Sequence, residues 1–460
     1  MYALRETKGK QAFGLGYIWG LFYNLALLYG VFWATVPGTI GMLAVIAILP
    51  AFNAWLFSKV SSKNRIVGMA IWPALWVGWE YLRTLTELNF PWGDLGYTQV
   101  YYLPLIQPAE LFGVYGVSLM VYTVNVILYA AVFLTRPRRR LKIGLIMSAV
   151  ALPLLFYLYG LFRLPAEESP GGYRVAIAQG NIGPDVKWEK EGVEFSYSTY
   201  LELTKQAADS GAQLVIWPET AMPFYLLHDA DKLFSLRRLL SFLKVDLLTG
   251  VPQYEKAGEN EYIYFNSAAL LSPSIDTVQL YSKIKLVPVS ERIPFSGRFK
   301  KLKDIHLGQA DFSSGREMVV FQNRDYEFAT VICFESAFPG YCAEFCRRGA
   351  NFLIVITNDM WFGPSSLPYQ HAQMSVFRAV ENRVPVLRCA NTGVSMIIDS
   401  YGRIQAETGT FEKELICGTI APVKSTSFYN RHGDWLPGLC LLFSGTMLGI
   451  AILRKDGYNE

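Results

Sequence analysis

The sequence predicts an α-helical membrane domain joined to an α/β domain, the latter a sandwich of helices around two sheets. Three observations predict it. Apolar stretches about as long as a bilayer-crossing helix cluster before residue 163 and recur after residue 434. Between them runs a region of ordinary globular composition in which short β-rich segments alternate with helical ones. The chain as a whole is 52% hydrophobic and only 17% charged, whereas soluble domains carry roughly 25% charged residues. A protein this apolar cannot cover its own surface in water.

The spans read as 14–34, 39–58, 66–86, 111–134 and 141–162, with a sixth over 435–453. Buried core helices would need a far larger soluble protein around them. Residues 1–162 therefore form an N-terminal membrane domain and 163–434 a folded domain. Residues 435–460 form a last span with a short tail. Basic residues fix the orientation, because cytoplasmic loops are rich in Lys and Arg. Arg5, Lys8 and Lys10 precede the first span, and Lys59, Lys63 and Arg65 separate the second and third. Arg136, Arg138, Arg139, Arg140 and Lys142 separate the fourth and fifth, and Arg454 and Lys455 follow the last. Every second connection is basic, so both ends face the cytoplasm and 163–434 faces outward. The first span resembles a secretory signal, yet no small-residue cleavage site precedes Pro37, so it reads as an uncleaved anchor. Gly14, Gly16 and Gly20 follow no strand and read as a helix-packing face rather than a nucleotide loop.

In the outer domain 173–179, 212–217, 245–250 and 262–271 read as buried strands, with a helix over 195–210. Further on, 319–322 and 327–333 flank the hairpin turn Asn323-Arg324-Asp325. A buried strand at 352–357 precedes a helix over 369–383, and 388–404 reads as strand, turn and strand. So many hairpins exclude a purely parallel sheet.

Composition narrows function. The net charge is +4 and the outer domain has no basic stripe with interleaved aromatics, so nucleic acid is excluded as a partner. The six cysteines form no Cys-x-x-Cys pair and the four histidines stand apart, so neither a disulfide framework nor a protein-bound metal is expected. No cofactor is implied, and nothing demands more than a monomer.

Three strand ends carry reactive side chains. Leu214-Val215-Ile216-Trp217-Pro218 delivers Glu219, Tyr281-Ser282 delivers Lys283, and Ala329-Thr330-Val331-Ile332 delivers Cys333. Singly, each is more often inert: a packed cysteine, a rim carboxylate or a solvated lysine. Together they supply a nucleophile, a general base and a cation, which run acyl transfer without histidine. Cys333 attacks a carbonyl as thiolate, an ionisation that Lys283 favours. Glu219 accepts its proton and later deprotonates the incoming nucleophile. Lys283 and the backbone N–H of Phe334 serve the oxyanion, and Glu291 and Glu335 hold Lys283 and Glu219 in place.

Trp217-Pro218-Glu219, Tyr281-x-Lys283 and Ile332-Cys333-Phe334-Glu335 resemble the Glu-Lys-Cys triad of the nitrilase superfamily, which implies a nitrilase-like αββα sandwich outside the membrane. Lys283 through Glu291, Thr357 through Gly363, Gln370-His371-x-Gln373-Met374, Arg378-Ala379-x-Glu381 and Arg388-x-x-Asn391-Thr392-Gly393 are similar to one membrane branch, the apolipoprotein N-acyltransferases. So are Phe90-Pro91-Trp92 and Gly96-Tyr97.

The resemblance implies transfer of an acyl chain from a phospholipid, typically phosphatidylethanolamine, through a Cys333 thioester. The acceptor is the N-terminal amine of an S-diacylglyceryl-cysteine prolipoprotein. The setting is the bacterial inner membrane, among membrane lipids, with the catalytic domain on the periplasmic side. It also implies that Trp188 and Trp361 lie near the mouth where acyl chains enter; plain core or interfacial aromatics are the alternative. Val289-Ser290 departs from the family's usual Phe-Gly, and Phe334 from its frequent Tyr. The family carries eight spans, so the first two have no counterpart among the six read here; an even difference keeps the orientation. Three rivals stand beside this reading. A membrane-tethered amidase would need one anchor, and a non-catalytic lipid- or lipoprotein-binding protein would need no nucleophile. A transporter would need more intramembrane charge than Glu80 and Arg83.

Overall fold

The computed structural model describes residues 1–4, 6–134, 138–166, 172–183, 190–259, 261–296 and 311–453. Trp188 and the basic residues Arg5, Arg136, Arg454 and Lys455 lie outside them. The chain forms two compact units, Met1–Leu164 with Asp434–Glu460, and Pro165–Gly433.

The first unit is helical, as segments that must satisfy every backbone polar group internally have to be. Its helices are α1 (Lys10–Leu28), α2 (Val36–Ile46), α3 (Ile48–Ser61), α4 (Arg65–Leu82), α5 (Leu103–Ile106), α6 (Ala109–Phe133) and α7 (Arg139–Arg163), joined by a last helix, Trp435–Leu453. Among the described residues four stretches are long and apolar enough to cross a membrane: Lys10–Trp33, Val36–Ser61, Ala109–Phe133 and Arg139–Arg163. Arg65, Glu80 and the tryptophans 72, 76 and 79 dilute α4 below that level. The stretch expected as one span over 39–58 is two helices meeting at Ala47. That over 111–134 is broken at Gly113, whose φ of 65° only glycine adopts freely. A Cβ on Gly16 would lie 2.6 Å from Ala54 and one on Gly20 3.0 Å from Pro50, so these two glycines seat α1 against α3, whereas Gly14 faces open space.

Among the described residues, several charges inside this unit have partners. Glu80 accepts from the Tyr122 hydroxyl at 2.9 Å and the Leu95 N–H at 3.0 Å. Arg83 donates to Asp94 at 2.6 Å and to the Trp92 carbonyl at 2.8 Å, tying down the segment after α4. Arg163 at the end of α7 reaches Glu110 at the start of α6 at 2.7 Å.

The second unit runs β1 (Tyr173–Gln179), α8 (Lys190–Asp209), β2 (Leu214–Ile216), α9 (Ala230–Leu243), β3 (Asp246–Lys256), β4 (Tyr262–Ser272) and β5 (Ile275–Ser282). It continues β6 (Val320–Gln322), β7 (Glu327–Ile332), α10 (Pro339–Arg347), β8 (Leu353–Thr357), α11 (Leu367–Asn382), β9 (Val386–Ala390), β10 (Met396–Ile398), β11 (Ile404–Glu407), β12 (Glu414–Ile420) and α12 (Phe428–His432). The described strands make two six-stranded sheets, ordered β12-β1-β2-β3-β4-β5 and β11-β10-β9-β8-β7-β6. In each, a parallel trio (β1-β2-β3 and β7-β8-β9) is flanked by antiparallel strands.

The sheets face each other: the Cys389 thiol donates to the Ile216 carbonyl at 3.4 Å and the Ser395 hydroxyl to Gln179 at 2.6 Å. Tyr200, Leu203 and Ala207 of α8 and Leu236 and Leu240 of α9 bury the outer face of the first sheet with Val215, Trp217 and Leu247. Helices α10 and α11 pack on the second sheet. This is the expected four-layer arrangement. The segment 388–404 differs in detail: it spans β9, β10 and the start of β11. The Asp399 carboxylate accepts from the Tyr401 and Arg403 N–H groups and closes an extra turn.

Candidate active site

The candidate residues gather at the carboxyl ends of β2, β5 and β7, where parallel-stranded sheets place their ligands. After β2, the buried Trp217 indole donates to Thr204 of α8 at 3.0 Å and fixes the turn at Pro218. Gly250 on β3 lets that turn come close, since a Cβ there would lie 2.6 Å from the Pro218 carbonyl oxygen. The Glu219 side chain is thereby turned inward. One of its oxygens accepts from the Asn266 amide at 2.7 Å, the other from the Asn358 N–H at 2.9 Å.

Lys283 follows β5, and its N–H continues the ladder to the Asn266 carbonyl at 2.8 Å. It is almost wholly buried, and its Nζ lies 2.8 Å from Glu291 and 3.8 Å from Glu219. The second Glu291 oxygen accepts from the Val287 N–H at 2.8 Å, so Glu291 ties Lys283 to its own loop. In that loop Val289 takes a φ of 70°, a costly conformation for a β-branched residue, closed by its N–H to the Arg292 carbonyl at 2.8 Å.

Cys333 ends the run that begins in β7, but not as extended strand. Its φ is 52°, the left-handed region, which costs a non-glycine residue roughly 1–3 kcal/mol. Its neighbours hold it there. Glu335, fully buried, accepts from the Ile332 N–H at 2.8 Å on one side. On the other it takes the Ile284 and Lys285 N–H groups at 2.8 and 3.0 Å and the Tyr281 hydroxyl at 2.7 Å. It thus clamps the Cys333 turn to the chain just after Lys283, and grips neither the Lys283 ammonium nor Glu219 by hydrogen bond. Phe334 opens the turn that follows, its ring edge-on to Phe338 at 5.2 Å.

Behind Cys333 stands a buried set in which the sequence motifs carry no evident role. Asp359 accepts from Arg388 at 2.5 Å and lies 2.8 Å from His371 Nδ1, while His371 Nε2 lies 3.2 Å from the Cys333 carbonyl oxygen. A Cβ on Gly393 would lie 2.3 Å from Asp359. The cluster braces the Cys333 backbone from below. Asn391 joins the two sheets, accepting from the Ile182 N–H at 3.1 Å and donating to Asn358 at 3.3 Å. Asn266, the amide on Glu219, is likewise absent from the sequence-level set; a lone amide within the apolar run 262–271 is its signal. Trp361 sits on the turn Asp359–Phe362, 39% exposed, three residues after Asn358.

The electrostatics assign protons. Burial pushes the Cys333 thiol well up, the Glu219 charge pushes it further, and Lys283 opposes without winning. Lys283 does favour the thiolate, as expected, but burial and the Glu219 charge outweigh it. A thiolate beside the Glu219 carboxylate is unfavourable. Burial would strip the Lys283 proton, but Glu291 and Glu219 hold it on, well above the ordinary lysine range. Burial raises the Glu219 carboxyl and Lys283 pulls it back in part. These directions favour a neutral thiol and a charged lysine.

Burial acts against the Asp359 charge too, yet Arg388 and His371 hold its carboxyl down at about 2, from an ordinary 3.8. That difference is worth roughly 2 kcal/mol of stability. The folded-state value is depressed, so this stabilisation is complete above the unfolded value near 4 and disappears as pH falls through about 2. Asp359→Asn is expected to lose about 3–5 kcal/mol, because it leaves Arg388 buried without its counter-charge. A lowered thermal unfolding midpoint, and a weaker dependence of that midpoint on acid pH, would register it.

The carbon-nitrogen hydrolase family matches residues 174–429, and the apolipoprotein N-acyltransferase N-terminal domain matches residues 1–127. An apolipoprotein N-acyltransferase of Geobacter metallireducens is 36% identical, over 98% of this chain and 89% of that protein. One of Chlorobaculum tepidum is 34% identical over 95% and 86%, and one of Pseudomonas syringae pv. tomato 30% identical over 98% and 91%. The relatives align along both units, membrane helices and α/β sandwich alike, and the chain belongs to the apolipoprotein N-acyltransferase family.

Proposed function

We propose that the protein transfers an acyl chain from a phospholipid, phosphatidylethanolamine first, to the α-amine of an S-diacylglyceryl-cysteine prolipoprotein. Glu219, Lys283 and Cys333 act as base, cation and nucleophile. The observation that carries this reading is the convergence of those three side chains from separate strand ends in one buried site.

In the first half-reaction Glu219 takes the Cys333 proton as sulfur attacks the ester carbonyl. Proton transfer and attack run together because burial and the Glu219 charge disfavour a standing thiolate. Lys283 and the Phe334 N–H stabilise the oxyanion, as preorganised donors do in acyl transfer. The intermediate collapses, the C–O bond breaks, and Glu219 returns the proton to the departing lysophospholipid. In the second half the acceptor amine attacks the thioester, Glu219 takes its proton, and the Cys333 sulfur leaves and is reprotonated. An ester and an amine become an alcohol and an amide, and no cofactor is consumed. Glu291 keeps Lys283 charged, and Glu335 keeps the Cys333 turn in register with it. Trp361, exposed beside Asn358, borders the acyl-chain entry, and Trp188 shares that role.

The protein works as a monomer in the bacterial inner membrane with its α/β unit on the periplasmic side. Lys8 and Lys10, then Lys59, Lys63 and Arg65, then Arg138 through Lys142, supply the basic cytoplasmic connections that support this orientation.

The test is transfer itself. Protein supplied with phosphatidylethanolamine and a diacylglyceryl-cysteine peptide is expected to add one acyl chain to the peptide's N-terminal amine, read by tandem mass spectrometry. Release of free fatty acid without acylated peptide would point to hydrolysis and overturn the proposal.

A further inference from the structure

An aromatic shelf runs away from the candidate centre along the β3–β4 ribbon. The register pairs Pro252 with Asn266, Tyr254 with Tyr264 and Lys256 with Tyr262, and residues two apart on a strand share a face. Asn266, the amide that holds Glu219, therefore shares a face with Tyr264 and Tyr262. These lie roughly 7 and 13 Å further along at ~3.3 Å per residue. Tyr254 sits between them, its ring 6.4 Å from Tyr264 and 5.4 Å from Tyr262. The loop after Glu219 brings two more rings: Tyr225 stands edge-on to Tyr254 at 4.8 Å, and His228 stacks on it at 4.0 Å. Tyr225, Tyr262 and Tyr264 are 37%, 48% and 42% exposed. One exposed tyrosine needs no explanation, but five contiguous rings beginning at the amide of the proposed base do.

We infer that this shelf binds the polypeptide segment that follows the acceptor's lipid-modified cysteine. The inference rests on the proposed acceptor, and it adds where that acceptor's protein part lies. Continuity is the first argument. An amine held at Cys333 and Glu219 belongs to a chain that must leave the site, and the shelf begins where Glu219 meets Asn266. Its length takes about four extended residues at ~3.3 Å each. Chemistry is the second. The shelf carries phenol hydroxyls and an imidazole and is bordered by exposed Glu255, Lys256 and Glu261. An acyl chain would desolvate those groups without hydrogen-bonding them. A peptide backbone pairs with them, and rigid tyrosine faces give contact area to varied side chains at little entropic cost.

The test compares two acceptors on the full-length protein with phosphatidylethanolamine as donor: a diacylglyceryl-cysteine peptide with a tail, and diacylglyceryl-cysteine amide without one. Tyr254→Ala and Tyr264→Ala are expected to raise KM for the tailed acceptor about tenfold, in the range of a truncated interface aromatic. KM for the tail-less acceptor, and acylation of Cys333 by the donor, should stay unchanged. Tyr254→Phe, which keeps the ring and loses the hydroxyl, should raise that KM by less than Tyr254→Ala, and the exposed His228→Ala serves as a second probe should the tyrosine variants fold poorly. An unchanged KM for the tailed acceptor in all the alanine variants would overturn the inference. Slowed Cys333 acylation with acceptor KM unaltered would also overturn it, by making the shelf a donor-lipid surface. Wild-type protein that acylates Cys333 yet modifies neither acceptor would remove the proposed function itself.

Discussion

Cys333→Ala is expected to fold as the wild type does and to lose acyl transfer by a factor on the order of 10^5 to 10^6, the size seen when an acyl-transfer nucleophile is removed. The fold should be indifferent because the φ of 52° at this position is left-handed for either residue. The clamp that holds the turn, Glu335 to Ile332, Ile284 and Lys285, does not involve the thiol. Only a sulfur atom is lost from a partly exposed site. Single-turnover transfer rates, with unfolding midpoints measured alongside, separate the two effects. An inactive variant that also melts far below the wild type would speak for a structural cysteine.

Glu219→Gln should lower the rate about 10^2- to 10^4-fold, the usual worth of a positioned general base. Part of that loss is geometric. Both Glu219 oxygens accept hydrogen bonds, from Asn266 and from the Asn358 N–H. A glutamine must turn its NH2 toward one of these donors, and one bond is lost. The larger part is chemical and shows in the pH profile. Burial raises the Glu219 carboxyl above its ordinary 4.5, and the base works ionised. Wild-type activity should therefore fall as pH drops through a value above the usual carboxylate range. In the glutamine variant that acid limb should vanish. The thiol then loses the neighbouring negative charge that helps hold it up, so residual activity should rise with alkaline pH. A variant that kept the wild-type acid limb would move the base elsewhere, Glu291 being the nearest carboxylate to Lys283.

What the sequence reveals of this molecule follows the physics of burial. Runs such as Val175–Ala178 and Leu353–Ile356 are buried on both faces and read as strands from composition alone. Glu219 and Cys333 are legible because each follows such a run, and Lys283 through the motif Tyr281-x-Lys283 that carries it. Strand β5 is not legible, since its faces are partly exposed and its residues mixed. The break at Gly113 inside an apolar stretch is likewise silent, because an apolar run has no period to interrupt. Nor does any local pattern reveal that Cys333 leaves the strand conformation. That depends on Glu335 gripping backbone fifty residues upstream. Asp359, His371 and Arg388 meet across 12 and 29 positions, so their motifs are visible while their contacts are not. The state of the thiol depends on burial and on three charges, Glu219, Lys283 and Asp359, and no single spacing encodes it.

The most direct measurement is the intact mass of purified protein after incubation with phosphatidylethanolamine alone. A gain of one acyl chain is expected, released by hydroxylamine, mapped to the peptide that contains Cys333 and absent from Cys333→Ala. Folded wild-type protein that acquires no adduct, yet still acylates a diacylglyceryl peptide when both lipids are present, would contradict the thioester route. The acyl chain would then pass directly from donor to acceptor.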